Sequence, residues 1–167
     1  MTLGLSLSAF TILHVIISLI AIVAGLIVMF GMVGSNRQPG LTAIFLIFTI
    51  LTSVTGFMFP FNGVTPGILI GILSCILLAI ACAALYSMHL AGPWRWIYVV
   101  TALVSLYLNV FVLVIQSFLK IPVLHALAPG NPPMAAIFAV VQGLVLMAFA
   151  VAIFGVWRRF RPVAMPG

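Results

Sequence analysis

Five apolar stretches account for most of this chain: residues 8–33, 41–59, 68–90, 97–119 and 134–157. Each is long enough to cross a hydrocarbon layer about 30 Å thick. In lipid such a segment has to be helical, because only a helix satisfies every backbone N–H and C=O within one crossing. The rest of the composition agrees. Of 167 residues, 66% are hydrophobic and 4% are charged, against about 25% charged in a soluble domain. The mean hydropathy of +1.47 leaves too little polar surface for a water-soluble or disordered chain. The expected fold is all-α, a polytopic membrane bundle of five transmembrane helices forming one domain over residues 1–167.

The breaks between stretches are chemical. Ser35-Asn36-Arg37-Gln38-Pro39-Gly40 is a turn cluster, and residues 60–67 hold Pro60, Gly63, Pro66 and Gly67. Residues 91–96 are so few that the third and fourth helices are expected to be antiparallel neighbours. The longest connection, Lys120 to Pro133, carries Pro122, Pro129, Pro132 and Pro133, with room for one interfacial turn over Val123 to Leu127. Met1 to Phe10 lacks the basic n-region of a cleavable signal, so the first stretch is expected to remain as a helix. No repeat marks inverted halves.

The chain has no Asp and no Glu. Carboxylate pairs for glycoside hydrolysis, acid-bearing triads and carboxylate cages for calcium or magnesium are therefore excluded. Carriers that depend on an intramembrane carboxylate are disfavoured for the same reason. Cys75 and Cys82 lie two helical turns apart, roughly 10 Å, beyond disulfide reach, and read as small buried hydrophobes. Neither a zinc-finger nor a haem-attachment spacing occurs. No contiguous basic surface marks a nucleic-acid partner.

The basic residues set an expected orientation. Arg37, Arg95, Arg158, Arg159 and Arg161 fall on one side of a five-span chain, and Lys120 alone on the other. Placing the arginines in the cytoplasm puts the N-terminus out and the C-terminus in. Trp94, Trp96, Tyr98 and Trp157 then form an aromatic belt at that same interface.

Polar side chains within the spans fall in rows. Thr101, Ser105, Asn109, Gln116 and Lys120 follow steps of four, four, seven and four along the fourth span. Shorter rows are Thr11, His14, Ser18, Ala21 and Gly25 in the first span, Thr42, Thr49, Ser53 and Gly56 in the second, and Gly71, Cys75, Cys82 and His89 in the third. Lipid cannot hydrogen-bond such groups, so these faces are expected to look inward. Counting residues places His14, Ser53, Gln116 and Gln142 roughly 6 to 12 Å below the outer ends of four different spans. Asn109 lies deeper, and Lys120 and His125 sit at the mouth. Structural roles compete at each position: Ser and Thr bond their own helix, and Asn and Gln join helices. His89 reads as a helix C-terminal cation, His125 as a solvated loop residue, and Lys120 as a snorkelling side chain. His14 stands apart, because an ionisable group inside a span is costly and marks function by default.

Three readings follow. The first is a small-molecule, lipid- or quinone-binding module or carrier, its outer-leaflet pocket lined by His14, Ser53, Asn109, Gln116, Lys120 and Gln142, with no cofactor. Such a donor-rich, acid-free pocket suits a small hydrophobic or anionic ligand. The second is a b-type cytochrome with haem ligands His14 and His125. The third is a structural or assembly subunit, packing as a homo-oligomer or against another membrane protein. A hydrolytic enzyme is disfavoured, because nucleophile, base and orienting group are not jointly present.

Leu51-Thr52-Ser53-Val54-Thr55-Gly56-Phe57, Leu106-Tyr107-Leu108-Asn109-Val110-Phe111 and Phe118-Leu119-Lys120-Ile121-Pro122 resemble small bacterial multi-pass integral membrane proteins of unknown function. The resemblance implies a bacterial cytoplasmic membrane location and draws attention to Asn109, Gln116 and Lys120. It carries no catalytic assignment.

Overall fold

The computed structural model describes residues 4–60, 63 and 65–161, all of whose regular structure is helical. Five helices are long and apolar enough to cross a membrane, the arrangement of a multi-pass membrane protein. They are α1 (Leu7–Val33), α2 (Pro39–Phe57), α3 (Pro66–Cys82), α4 (Trp94–Lys120) and α6 (Ala136–Arg159); a short α5 (Pro122–Leu127) lies between the last two. Phe61, Asn62 and Val64 of the second loop, and the carboxylate of Gly167, lie outside the described residues.

Local chemistry places the ends. Ser6 caps α1 by accepting a hydrogen bond from the Ala9 N–H at 3.2 Å, and Thr65 caps α3 through the Ile68 N–H at 3.4 Å. Pro39, Pro66 and Pro122 open their helices, where the missing N–H costs nothing. Pro122 also ends α4, since the residue before a proline avoids helical geometry; Ile121 is extended at φ −90° and ψ 116°. The turn expected over Val123 to Leu127 is α5.

The third span differs from its expected course to Leu90. Its α-helix stops at Cys82 and passes into a π-helical turn, Ala83–Ser87. The Met88 N–H bonds the Ala83 carbonyl, and the Leu90 N–H the Ala84 carbonyl. His89 and Leu90 then take left-handed conformations, φ 48° and 60°. Tyr86, Ser87 and His89 make this stretch more polar than the residues before Cys82, but Leu85, Met88 and Leu90 keep it apolar enough to read as a continuation of the span.

Helix α4 is the hub and has the largest buried share; it packs against all the other helices. The contiguous apolar core lies toward one end. It takes Val28 and Met32 from the late part of α1, Phe45 and Leu46 from early α2, Leu78 and Ala81 from late α3, and Phe149 and Val156 from late α6. Around these sit Val99, Ala102, Leu103 and Leu106 of early α4. In alternating helices these halves coincide at the end that carries the arginines. Among the described residues the opposite half has no comparable continuous core, and that half holds His14.

Candidate functional site

His14 sits about two turns into α1, roughly 10 Å from its start, and faces α2. Its Nδ1 lies 2.7 Å from the Thr55 hydroxyl oxygen. The same hydroxyl lies 2.7 Å from the Leu51 carbonyl and 3.2 Å from the Thr52 carbonyl. One hydroxyl has one proton. If Thr55 donates it to the Leu51 carbonyl, then Nδ1–H donates to Thr55 and both short contacts are hydrogen bonds. If Thr55 donated to Nδ1, the carbonyl contact would lose its proton. The first arrangement satisfies more groups, which assigns the Nδ1–H tautomer and leaves the lone pair on Nε2. Among the described residues Nε2 has no hydrogen-bond partner.

Aromatic rings complete this place. The imidazole meets Phe59 edge-on, with centroids 5.2 Å apart, and Phe59 in turn packs on buried Phe10 at 5.0 Å. Gly56 lies alongside the ring: a Cβ there would be 3.8 Å from His14 Cε1, ordinary van der Waals contact. His14 is half-buried, so its environment is apolar, aromatic and partly open.

The other expected site residues do not join it. Ser53 is buried and donates to the Thr49 carbonyl of its own helix at 3.2 Å. Gln142 is buried on α6, where its side-chain N–H donates to the Phe111 carbonyl of α4 at 3.0 Å. Among the described residues its Oε1 has no partner, nor has the buried Nδ2 of Asn109. Gln116 and Lys120 are exposed on α4, and His125 is exposed on α5, which packs on α4. No hydrogen bond joins any two of His14, Ser53, Asn109, Gln116, Lys120 and Gln142 among the described residues. The geometry offers two polar places, one at α1–α2 and one at α4–α6.

The fourth-span row separates for a geometric reason. Each four-residue step overshoots a helical turn by about 40° and a seven-residue step falls short by about 20°, so the row drifts about 100° from Thr101 to Lys120. Thr101 and Ser105 are accordingly buried, Asn109 is half-buried, and Gln116 and Lys120 are exposed. Thr55 is the residue that sequence reasoning missed. It lies off the row through Thr49 and Ser53, although its three-residue spacing from Thr52 marks a second polar stripe on α2.

An open apolar recess of about 360 Å³ lies elsewhere, between Leu19, Val23 and Ile27 of α1 and Leu41 and Ile44 of α2. It has no polar lining and none of the expected site residues. No protein-family model, curated protein or solved structure matches this chain.

Proposed function

We propose that this multi-pass membrane protein is a binding module for a lipid-soluble, hydroxyl-bearing small molecule, of which a quinol is the type. The ligand enters from the half of the bilayer that holds His14. One observation carries the reading: Thr55 holds the His14 ring through Nδ1 and leaves Nε2 a lone-pair acceptor in an apolar, aromatic setting. A quinol hydroxyl donates to that nitrogen, and its ring packs against Phe59. His14 is only half-buried, so the ring has an open side from which such a guest can approach. No bond is made or broken in this role, in keeping with a chain that lacks side-chain carboxylates.

Titration with a short-chain quinol, kept reduced, tests the proposal. The wild-type protein is expected to show a rise in unfolding midpoint. His14→Leu removes the acceptor and is expected to weaken binding by roughly tenfold, the worth of one hydrogen bond in such a site. Thr55→Val keeps the shape but frees the ring, with a smaller loss of a few-fold. An unchanged midpoint with quinol, or unaltered binding by His14→Leu, refutes the assignment. A Soret band in the purified protein would instead favour haem on His14 and His125.

A second reading, a subunit docking on a membrane partner, draws on α6, the least buried of the five spans. Stoichiometric copurification through α6 would support it. The proposed setting is a bacterial cytoplasmic membrane with the N-terminus out and the arginine end in. Reporter fusions after Arg37 and after Arg95 are expected to read as cytoplasmic, and a fusion in the Lys120–Pro133 connection as external. The opposite pattern reverses the topology.

A further inference from the structure

The arginines at one end of the bundle have no side-chain carboxylate anywhere in the sequence to pair with. The fold nevertheless draws them together. The Ser35 hydroxyl donates to the Arg159 carbonyl and accepts the Arg161 N–H at 3.1 Å, which stitches the loop carrying Arg37 to the end of α6. Arg95 reaches from the start of α4 to the Phe160 carbonyl. Arg95 is thereby engaged with the backbone, and Arg158 lies over the Phe154 ring, 5.4 Å from its centroid. Arg37, Arg159 and Arg161 make no side-chain hydrogen bond among the described residues. Arg159 and Arg161 are exposed and Arg37 is half-buried.

Guanidinium groups gathered at one end of a bundle with no side-chain carboxylate to neutralise them favour the binding of an anion. We infer that this end of the bundle is a binding site for a phosphate group, presented by an anionic phospholipid headgroup or by free phosphate. A guanidinium fork matches two phosphate oxygens at once, which an ammonium does not. Half-exposed Trp96 and Trp157 are chain neighbours of Arg95 and Arg158. Tryptophans of this kind lie at headgroup depth, which sets the arginines level with lipid phosphates. The site is at the opposite end from His14 and stands or falls without it.

The test titrates purified protein, in a zwitterionic detergent, with phosphatidylglycerol, with phosphatidylcholine of the same chains, and with inorganic phosphate. Unfolding midpoint and lipid retention in native mass spectrometry are the readouts. Phosphatidylglycerol is expected to be retained and to raise the midpoint, and phosphatidylcholine to do neither. Arg37→Gln, Arg159→Gln and Arg161→Gln, made singly and together, are expected to weaken retention by about fivefold for each arginine removed. Lys120→Gln, at the other end, leaves it unchanged. The single variants keep the inference testable should the triple variant fold poorly. A matching midpoint rise with inorganic phosphate supports the same site with soluble phosphate as its source; a rise with the lipid alone supports the headgroup. Equal retention of the two lipids, or an undiminished preference in the arginine variants, overturns the inference.

Discussion

Gly25→Val is expected to lower the stability of the folded bundle by about 3 kcal/mol, at the upper end of what overpacking costs. A Cβ at this position would lie 2.6 Å from Leu106 Cδ1 and 2.8 Å from Phe45 Cδ2, closer than side-chain carbons approach. Phe45 and Leu106 are fully buried, so neither ring nor methyl has free space to enter. Lipid tails are as apolar as the helices, so close packing takes the place of hydrophobic burial in holding spans together. Gly25 is where α1 approaches both α2 and α4, and valine forces all three apart. Two comparisons isolate the cause. Gly143 has open space around it, so Gly143→Ala is expected to be neutral or slightly stabilising. At Gly31 the obstruction is only the end of the Gln38 side chain, which can swing away. Unfolding in mixed micelles measures all three; equal effects at Gly25 and Gly143 would refute the packing account.

Arg95→Ala is expected to release the last turn of α6 and to lower stability by about 1–2 kcal/mol. The final carbonyls of a helix have no partner within it and carry the negative end of its dipole. Arg95 supplies donors to the Phe160 carbonyl and, at 3.4 Å, to the Trp157 carbonyl. Helix α6 is the least buried of the five spans, so few contacts back this tether up. They include Phe149 on Tyr107, Phe138 on Phe118, and the Gln142 bond to α4. Hydrogen exchange over the end of α6 should therefore rise sharply in Arg95→Ala and less in Arg95→Lys, which keeps a charge but not the fork. Wild-type exchange there in Arg95→Ala would show that packing alone holds the helix.

The arginine end illustrates what a sequence conveys and what it omits. Arg95 reads from composition as an orientation signal, one of five charges on one side. Its structural task, closing a helix that begins some forty residues later, depends on how α4 and α6 meet. Ser35 is a similar case: within a turn cluster it reads as a loop residue, yet its hydroxyl joins that loop to the backbone of Arg159 and Arg161. The polar candidates divide in the same way. His14 stands out in the sequence as a candidate because an ionisable group within a span is conspicuous whatever surrounds it. Its partner Thr55 does not, because Thr52, Ser53 and Thr55 are equivalent hydroxyls until the rotation of α2 against α1 is known. The expectation of one pocket fed by four helices treated depth as if it were direction. Depth follows from counting residues; direction does not.

Sequence by itself settled the number of spans, their approximate limits and the grouping of the arginines. Each of those depends on one segment and its solvent: a long apolar run in lipid must close its own hydrogen bonds, and proline or a cap must end it. Tertiary structure alone decided that His14 meets Thr55, that Gly25 lies against both Phe45 of α2 and Leu106 of α4, and that the continuous core fills one half of the bundle. Those outcomes depend on the rotation, tilt and register of five helices at once, and small angular drifts along a helix are enough to carry a side chain from a partner to the lipid.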